Sequence, residues 1–134
     1  QGNLISDLAR SGSVIGIDAR TDEATITGNV IRELRGSTSN WGIDNYGNNA
    51  IVGNTIQINV SSSSNSYGIY NENWVTSSKG LCVNSNRIKV TNPGSGTGYA
   101  IGVNVTNGTV LCNSCYGSDS LGTISAGTTG LNDI

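Results

Sequence analysis

Three acidic residues are spaced so that a repeating fold would gather them on one side of the chain. Asp18 and Asp44 stand at matching places in successive repeats of about 25 residues, and Glu72 stands two residues beyond the matching place in the next repeat, so it faces the same side. If Asp18 and Asp44 lie on adjacent strands, their backbones are about 5 Å apart. Paired carboxylates can split a glycosidic bond, and crowding of like charges raises the pKa of one of them, as a general acid requires. Asp44, Glu72 and Asp18 are therefore the candidate catalytic residues, which would make the protein, if an enzyme, a glycoside hydrolase acting on polysaccharide.

Aromatic and cationic side chains accompany these carboxylates. Aromatic faces stack on sugar rings, so the same side of the chain yields a set of candidate substrate-binding residues: Trp74, Tyr46, Tyr70, Arg20 and Lys79. The alternative is an ordinary solvated surface on which Arg20 simply pairs with Asp18 or Asp44. The sequence leaves both interpretations open.

Other chemistries find little support in the composition. The chain has no His, which excludes a Ser-His-Asp triad, and its three Cys are too few for a zinc site, so no metal or cofactor is predicted. Cys115 occupies an apolar position of the repeat and is expected to be a small buried residue. Charged residues make up only 12% and the net charge is −2, which argues against a nucleic-acid partner. The sequence contains no run of about 18 apolar residues, so no membrane span is predicted.

A short motif, consisting of a small residue, Asn, any residue and an apolar residue, sets the repeat. Five copies occur, with spacings of 26, 25, 32 and 27 residues, centred on Asn3, Asn29, Asn54, Asn86 and Asn113. Such a regular recurrence is the signature of a repeat architecture. We expect these asparagines to form a hydrogen-bonded column at a corner, where Asn tolerates left-handed backbone angles.

The apolar residues alternate over short stretches bounded by Gly and Asn, which predicts strands and no helix. Three short strands per repeat predict an all-β parallel β-helix of about four coils. Residues at equivalent places should stack in three buried columns: Ile5, Ile31, Ile56, Ile88 and Cys115; Ile26, Ile51, Val83 and Val110; Ile17, Ile43, Ile69 and Ile101. Strict alternation also places Trp41, Tyr67 and Tyr99 in a column that points inward.

The longer third spacing locates an insertion at residues 71–79, beside the predicted carboxylate face. A second face should carry Arg32, Gln57, Lys89 and Tyr116, each three residues after a motif Asn, with Arg87 beside them; it would suit an anionic polysaccharide or a subunit contact. The repeats span 1–117, and 118–134 reads as a terminal strand or linker. Because the sequence starts inside the first motif and contains no Met, we expect it to be a piece of a longer helix.

The pattern Ile-x-Gly-Asn-x-Ile at residues 26–31 and 51–56 resembles the repeat of the right-handed single-stranded parallel β-helix. That repeat occurs in pectate-lyase-like proteins and in bacteriophage tailspikes and tail fibres. The resemblance implies a right-handed coil and, for a tailspike, a homotrimer located in the virion tail or otherwise extracellular. It implies fold more specifically than activity, because sugar-acting enzymes and non-enzymatic adhesins share it.

Three hypotheses for function follow. The first is a piece of a bacteriophage tailspike or tail fibre that binds bacterial surface polysaccharide, with or without cleaving it. The second is a secreted bacterial polysaccharide hydrolase or lyase of the pectate-lyase-like type. The third is a non-enzymatic structural or adhesive β-helix.

Overall fold

The computed structural model of the 134-residue chain is all-β and describes residues 2–71, 79–104, 107–122, 124–125 and 128–129. Of residues 79–80, 104, 107, 124–125 and 128–129 it describes the backbone alone. The described residues form these strands: β1 (Leu4–Ile5), β2 (Ala9–Arg10), β3 (Val14–Ala19), β4 (Thr25–Thr27), β5 (Val30–Arg32), β6 (Arg35–Gly36), β7 (Asn40–Asn45), β8 (Ala50–Val52), β9 (Thr55–Asn59), β10 (Ser66–Asn71), β11 (Lys79–Asn84), β12 (Arg87–Thr91), β13 (Gly98–Asn104), β14 (Asn107–Leu111), β15 (Ile124–Ser125) and β16 (Thr128–Thr129). No helix occurs among the described residues, as the short alternating pattern predicts.

Every strand pairing among the described residues is parallel, and neighbours within a sheet come from successive repeats. The first sheet has the order β1-β5-β9-β12, the second β15-β13-β10-β7-β3 and the third β16-β14-β11-β8-β4. Strands β2 and β6 form a small fourth sheet. Strands β15 and β16, from the segment predicted as a terminal strand or linker, pair with β13 and β14.

The predicted buried columns are confirmed. Ile17, Ile43, Ile69 and Ile101 are successive register partners in the second sheet, as are Ile5, Ile31, Ile56 and Ile88 in the first and Ile26, Ile51, Val83 and Val110 in the third. Most of these side chains are fully buried, and Cys115 is buried in line with them. Because branched side chains repeat at one strand spacing, they fill the interior between the sheets.

The predicted asparagine column is also confirmed, but the backbone reason for it is wrong. Each asparagine from Asn3 to Asn86 donates its side-chain amide to the Oδ1 atom of the next asparagine in the column, over 2.9–3.2 Å. The left-handed residue is instead the one before the Asn, with φ of 67° at Gly28, 65° at Gly53, 54° at Ser85 and 53° at Cys112. The small residue of the motif therefore makes the turn, and the Asn side chain ties the turns together.

The expectation that Trp41, Tyr67 and Tyr99 point inward is also wrong, because the second sheet bends. Gly42 and Ile43 both face the interior: a Cβ at Gly42 would lie 2.7 Å from Cγ2 of Ile56, and Ile43 is fully buried. Two consecutive inward residues break the alternation, so Trp41 and Asp44 both lie on the outer side. The same bend recurs at Gly68, which places Tyr67 and Tyr70 together on the outer surface.

Candidate functional site

The outer surface of the second sheet carries aromatic residues, here called the aromatic face: Tyr67, Tyr70 and Tyr99, with Trp41 as the register partner of Tyr67 on the next strand. The ring centroids of Tyr67 and Tyr99 are 5.2 Å apart with planes 20° from parallel. Those of Tyr67 and Tyr70 are 4.8 Å apart, tilted by 41°. All three tyrosines are half-buried, so part of each ring meets solvent. The cluster is a continuous apolar surface, with hydroxyl groups on its rings, of the kind that accepts flat ligand rings.

A glycine beside the rings makes room for this arrangement. Gly102 is the register partner of Tyr70 on the adjacent strand. A Cβ at Gly102 would lie 2.8 Å from Cδ1 and Cε1 of Tyr67 and 3.0 Å from Cδ2 of Tyr70. Any larger residue would therefore push both rings out of place.

Next to the aromatic face lie several of the residues that the sequence selected. Nε of Arg20 donates to both carboxylate oxygens of Asp18, at 2.8 and 2.9 Å. The guanidinium of Arg20 also lies 4.6 Å from the centre of the Tyr46 ring. Hydrogen bonding and charge from Asp18 raise the pKa of Arg20, and Asp44 contributes to the same shift. An ion pair between Arg20 and Asp18, which the sequence left open as the alternative to a sugar contact, is thus present, with both side chains substantially exposed.

Asp44 departs from the expectation of a solvent-facing carboxylate. It is the register partner of Asp18 on one side and of Tyr70 on the other, as the spacing predicts. It is nevertheless only 3% exposed. Because Arg20 belongs to the same cluster, its positive charge also acts on Asp44. The two carboxylates are thus brought together, one buried and the other held in an ion pair.

Three of the predicted site residues cannot be placed. Glu72 and Trp74 lie outside the described residues, and only the backbone of Lys79 is described. Conversely, Tyr67 and Tyr99 belong to the aromatic face although the sequence assigned them to packing. The signal that could have found them is the small residue after each, Gly68 or Ala100, which turns inward together with the buried Ile that follows and leaves the tyrosine on the outer side.

A second surface, here called the cationic face, is the outer side of the first sheet: Arg32, Gln57, Lys89 and Arg87. Arg32, Gln57 and Lys89 are register partners on three successive strands, as predicted. The guanidinium of Arg87 lies 4.6 Å from the centre of the Tyr116 ring. A hollow of about 310 Å³ opens beside Arg32 and Gln57. This face lies on a different sheet from the aromatic face.

The described residues contain no group of three or more His, Cys, Asp or Glu side chains that could hold a metal ion. The three cysteines form no disulfide: Cys112 is exposed, Cys82 is half-buried and Cys115 is buried. The part of the chain that the structure describes has no helix long and apolar enough to span a bilayer.

No family model, curated protein or solved structure matches this chain. The aromatic and cationic faces are therefore the basis on which a function can be proposed.

Proposed function

We propose that the chain is a right-handed parallel β-helix that binds polysaccharide on its aromatic face. The helix is supported by three parallel sheets, each of which takes one strand from each repeat, and by the side-chain columns that they enclose. The right hand follows from the resemblance of the Ile-x-Gly-Asn-x-Ile repeat to that of known β-helices.

The observation that carries the binding function is the cluster of Tyr67, Tyr70 and Tyr99. Three rings, linked by centroid distances of 4.8 and 5.2 Å, remain partly open to solvent on a rigid sheet. A fold that needed these rings only for its core would bury them, as it buries the isoleucine columns behind them. A sugar ring has an apolar C–H face and a polar rim, and it would stack on the tyrosines while Asp18 and Arg20 meet its hydroxyl groups.

The ligand in this proposal is a bacterial surface polysaccharide, bound as a tailspike or tail fibre would bind it. Rings on successive strands are separated by one strand spacing along the stack, so the surface is extended rather than closed. An extended surface suits a long glycan better than a single monosaccharide.

Binding without cleavage is the better supported form of this function. A glycoside hydrolase needs one carboxyl group as proton donor and a second that is free to act as base or nucleophile. Of the candidate carboxylates that the structure describes, Asp18 is engaged by Arg20 and Asp44 is 3% exposed; Glu72 lies outside the described residues. The parent protein and its Asp18→Asn and Asp44→Asn variants should therefore all leave the chain length of the polysaccharide unchanged in a viscosity assay. Cleavage by the parent protein that either variant abolishes would show that the carboxylates are catalytic.

The binding proposal is tested by affinity electrophoresis in gels that contain soluble bacterial polysaccharides, with dextran, xanthan and gellan as the first probes. We expect at least one polymer to retard the protein. Tyr67→Ala with Tyr99→Ala should weaken that binding by about tenfold or more, as loss of an aromatic anchor commonly does.

The matched control is Tyr67→Phe, which keeps the ring and removes only the hydroxyl group, and which should retain most of the affinity. Both tyrosines lie on the outer surface, so circular dichroism should show an unchanged fold. Undiminished retardation of the double alanine variant would reject the aromatic face as the binding site.

A further inference from the structure

We propose that the cationic face is a second site, which binds the acidic groups of a polyanionic polysaccharide. The inference rests on the proposed function, which makes the ligand a polysaccharide. The charge of that ligand is inferred from residues outside the aromatic face. It adds a substrate class, because it predicts a glycan that bears carboxylate or sulfate groups.

The local sequence puts positive charge on the strands of this sheet; the acidic residues Asp7 and Glu33 lie beside the strands, where Arg35 pairs with both. Inward positions of the first sheet are the buried Ile31, Ile56 and Ile88. Outward positions on the same strands include Arg32 and Lys89, with Arg87 two residues before Lys89. Strands β1, β5, β9 and β12 contain no Asp or Glu. A chain with a net charge of −2 thus has three cations on one sheet.

Arg32 and Lys89 differ from Arg20 and Arg35 in their partners. Arg20 and Arg35 form ion pairs, with Asp18 and with Asp7 and Glu33. Within the described ranges, the ion pairs involve neither Arg32 nor Lys89. Arg32 and Lys89 lie two strand spacings apart, about 10 Å, which is near the Debye length at physiological salt. They can therefore act together on a linear polyanion that runs across the strands.

A backbone irregularity hollows the face beside Arg32. Glu33 adopts a left-handed φ of 57°, and its N–H donates to the carbonyl of Gln57 at 3.3 Å. In the next repeat the chain continues straight through β9, without such a turn. The step between the two repeats creates the hollow of about 310 Å³, lined by Arg32, Glu33, Arg35, Gln57 and Asn59.

The lining of the hollow favours a sugar acid over a simple anion. Gln57 and Asn59 present carboxamides, which pair with hydroxyl groups, while Arg32 supplies charge for a carboxylate or sulfate. The hydroxyl of Thr91 donates to Oδ1 of Asn59 at 3.1 Å, which holds that amide in place. Glu33 is already engaged by Arg35, whose nitrogen lies 2.9 Å from its carboxylate.

Nucleic acid fits this surface less well. A protein that binds duplex DNA through its backbone typically neutralises about 6–10 phosphates. The cationic face offers three cations on a chain whose overall charge is negative. The aromatic ring at this face, that of Tyr116, already stacks against the guanidinium of Arg87.

The test is affinity electrophoresis of the intact chain in gels with polygalacturonate, dextran sulfate or neutral dextran, at low and high salt. We expect at least one polyanion to retard the protein more than dextran does, and high salt to weaken that retardation. The polymer that binds identifies the group as carboxylate or sulfate. Arg32→Gln with Lys89→Gln should lower affinity for the polyanion by about tenfold or more, since charge-assisted hydrogen bonds are lost.

The control is Arg10→Gln, which removes one exposed positive charge outside both faces and should leave polyanion binding unchanged. Tyr67→Ala separates the two proposals, because it should weaken stacking while preserving the preference for acidic over neutral polymer. The inference would be overturned if the double variant bound polyanion like the parent, or if neither polyanion exceeded dextran. Binding of duplex DNA as tight as that of both polyanions would overturn it as well.

Discussion

Asn29 donates two hydrogen bonds to one atom of Asn54: its backbone N–H and its Nδ2 amide each lie 3.0 Å from Oδ1 of Asn54. The same pair of bonds links Asn3 to Asn29, Asn54 to Asn86 and Asn86 to Asn113. Each carbonyl oxygen thus accepts from both the main chain and the side chain of its neighbour, which gives the column a single polarity. From Asn29 to Asn113 these asparagines are buried, so the bonds are shielded from water.

Asn54→Ala should lower the free energy of unfolding by about 2–4 kcal/mol, because buried polar groups lose their partner. Asn29 would lose the acceptor for its amide, and the carbonyl of Ile26 would lose the Asn54 amide that donates to it at 2.8 Å. Urea denaturation followed by circular dichroism measures the change. Asn3→Ala at the exposed end is the control and should cost about 1 kcal/mol or less. Equal losses in the two variants would mean that burial of the ladder does not matter.

The left-handed turn positions predict a reciprocal pair of substitutions. Ser85 has φ of 54°, so Ser85→Gly should stabilise the protein by about 0.5–1 kcal/mol by removing Cβ strain. Gly53→Ser should cost about 1 kcal/mol; no atom lies within 4 Å of the added Cβ, so the cost is conformational. Thermal unfolding reports both changes. Ser114→Gly, at an exposed position without positive φ, should instead destabilise. A gain of stability there would contradict the backbone explanation.

The cysteines should differ sharply in reactivity. Cys112 is exposed and should react with a thiol reagent such as dithionitrobenzoate in the native protein. Cys115, three residues later, is buried at 0% exposure and should react only after denaturant unfolds the chain. Stopped-flow absorbance distinguishes the phases, and Cys112→Ser should remove the native-state reaction of that thiol. Modification of Cys115 in the folded protein would show that its column is open.

The carboxyl group of Asp7, which lies near Arg32 and Arg35, should have a lowered pKa. Hydrogen bonding with Glu33 and then Ser6 lowers the pKa of Asp7, and the charges of Arg35 and Arg32 add to the effect. Because the folded pKa lies below the unfolded one, the contribution of Asp7 to stability is present above its unfolded pKa. It is lost as pH falls through the folded pKa. Carboxyl NMR should find the Asp7 midpoint below its ordinary value.

Arg35→Gln should move that Asp7 midpoint upward, since it removes a positive charge that lies 3.5 Å from the Asp7 carboxylate. Arg20→Gln is the matched control, because it also removes an ion-paired arginine and has no part in the Asp7 shift. A midpoint that moved equally in both variants would contradict the assignment.

Sequence spacing was sufficient to predict which residues are neighbours across the strands. In a parallel stack, register equals the repeat length, so Asn29 lies beside Asn54 and Asp18 beside Asp44 as a matter of counting. The same counting predicted the row of Arg32, Gln57 and Lys89. Alternation of apolar and polar residues predicted the buried isoleucines, because burial of one side of a strand recurs in every repeat.

The direction and burial of particular side chains were decided by the tertiary structure. Strict alternation turned Tyr67 inward, whereas the bend at Gly68 turns it outward to meet Tyr70. Asp44 was expected to face solvent and is covered by its surroundings. The physical reason is that periodicity reports the average period of a strand and not where it bends, and burial depends on neighbours from other repeats. Sequence alone thus determined which residues meet, and the folded chain determined which of them face solvent.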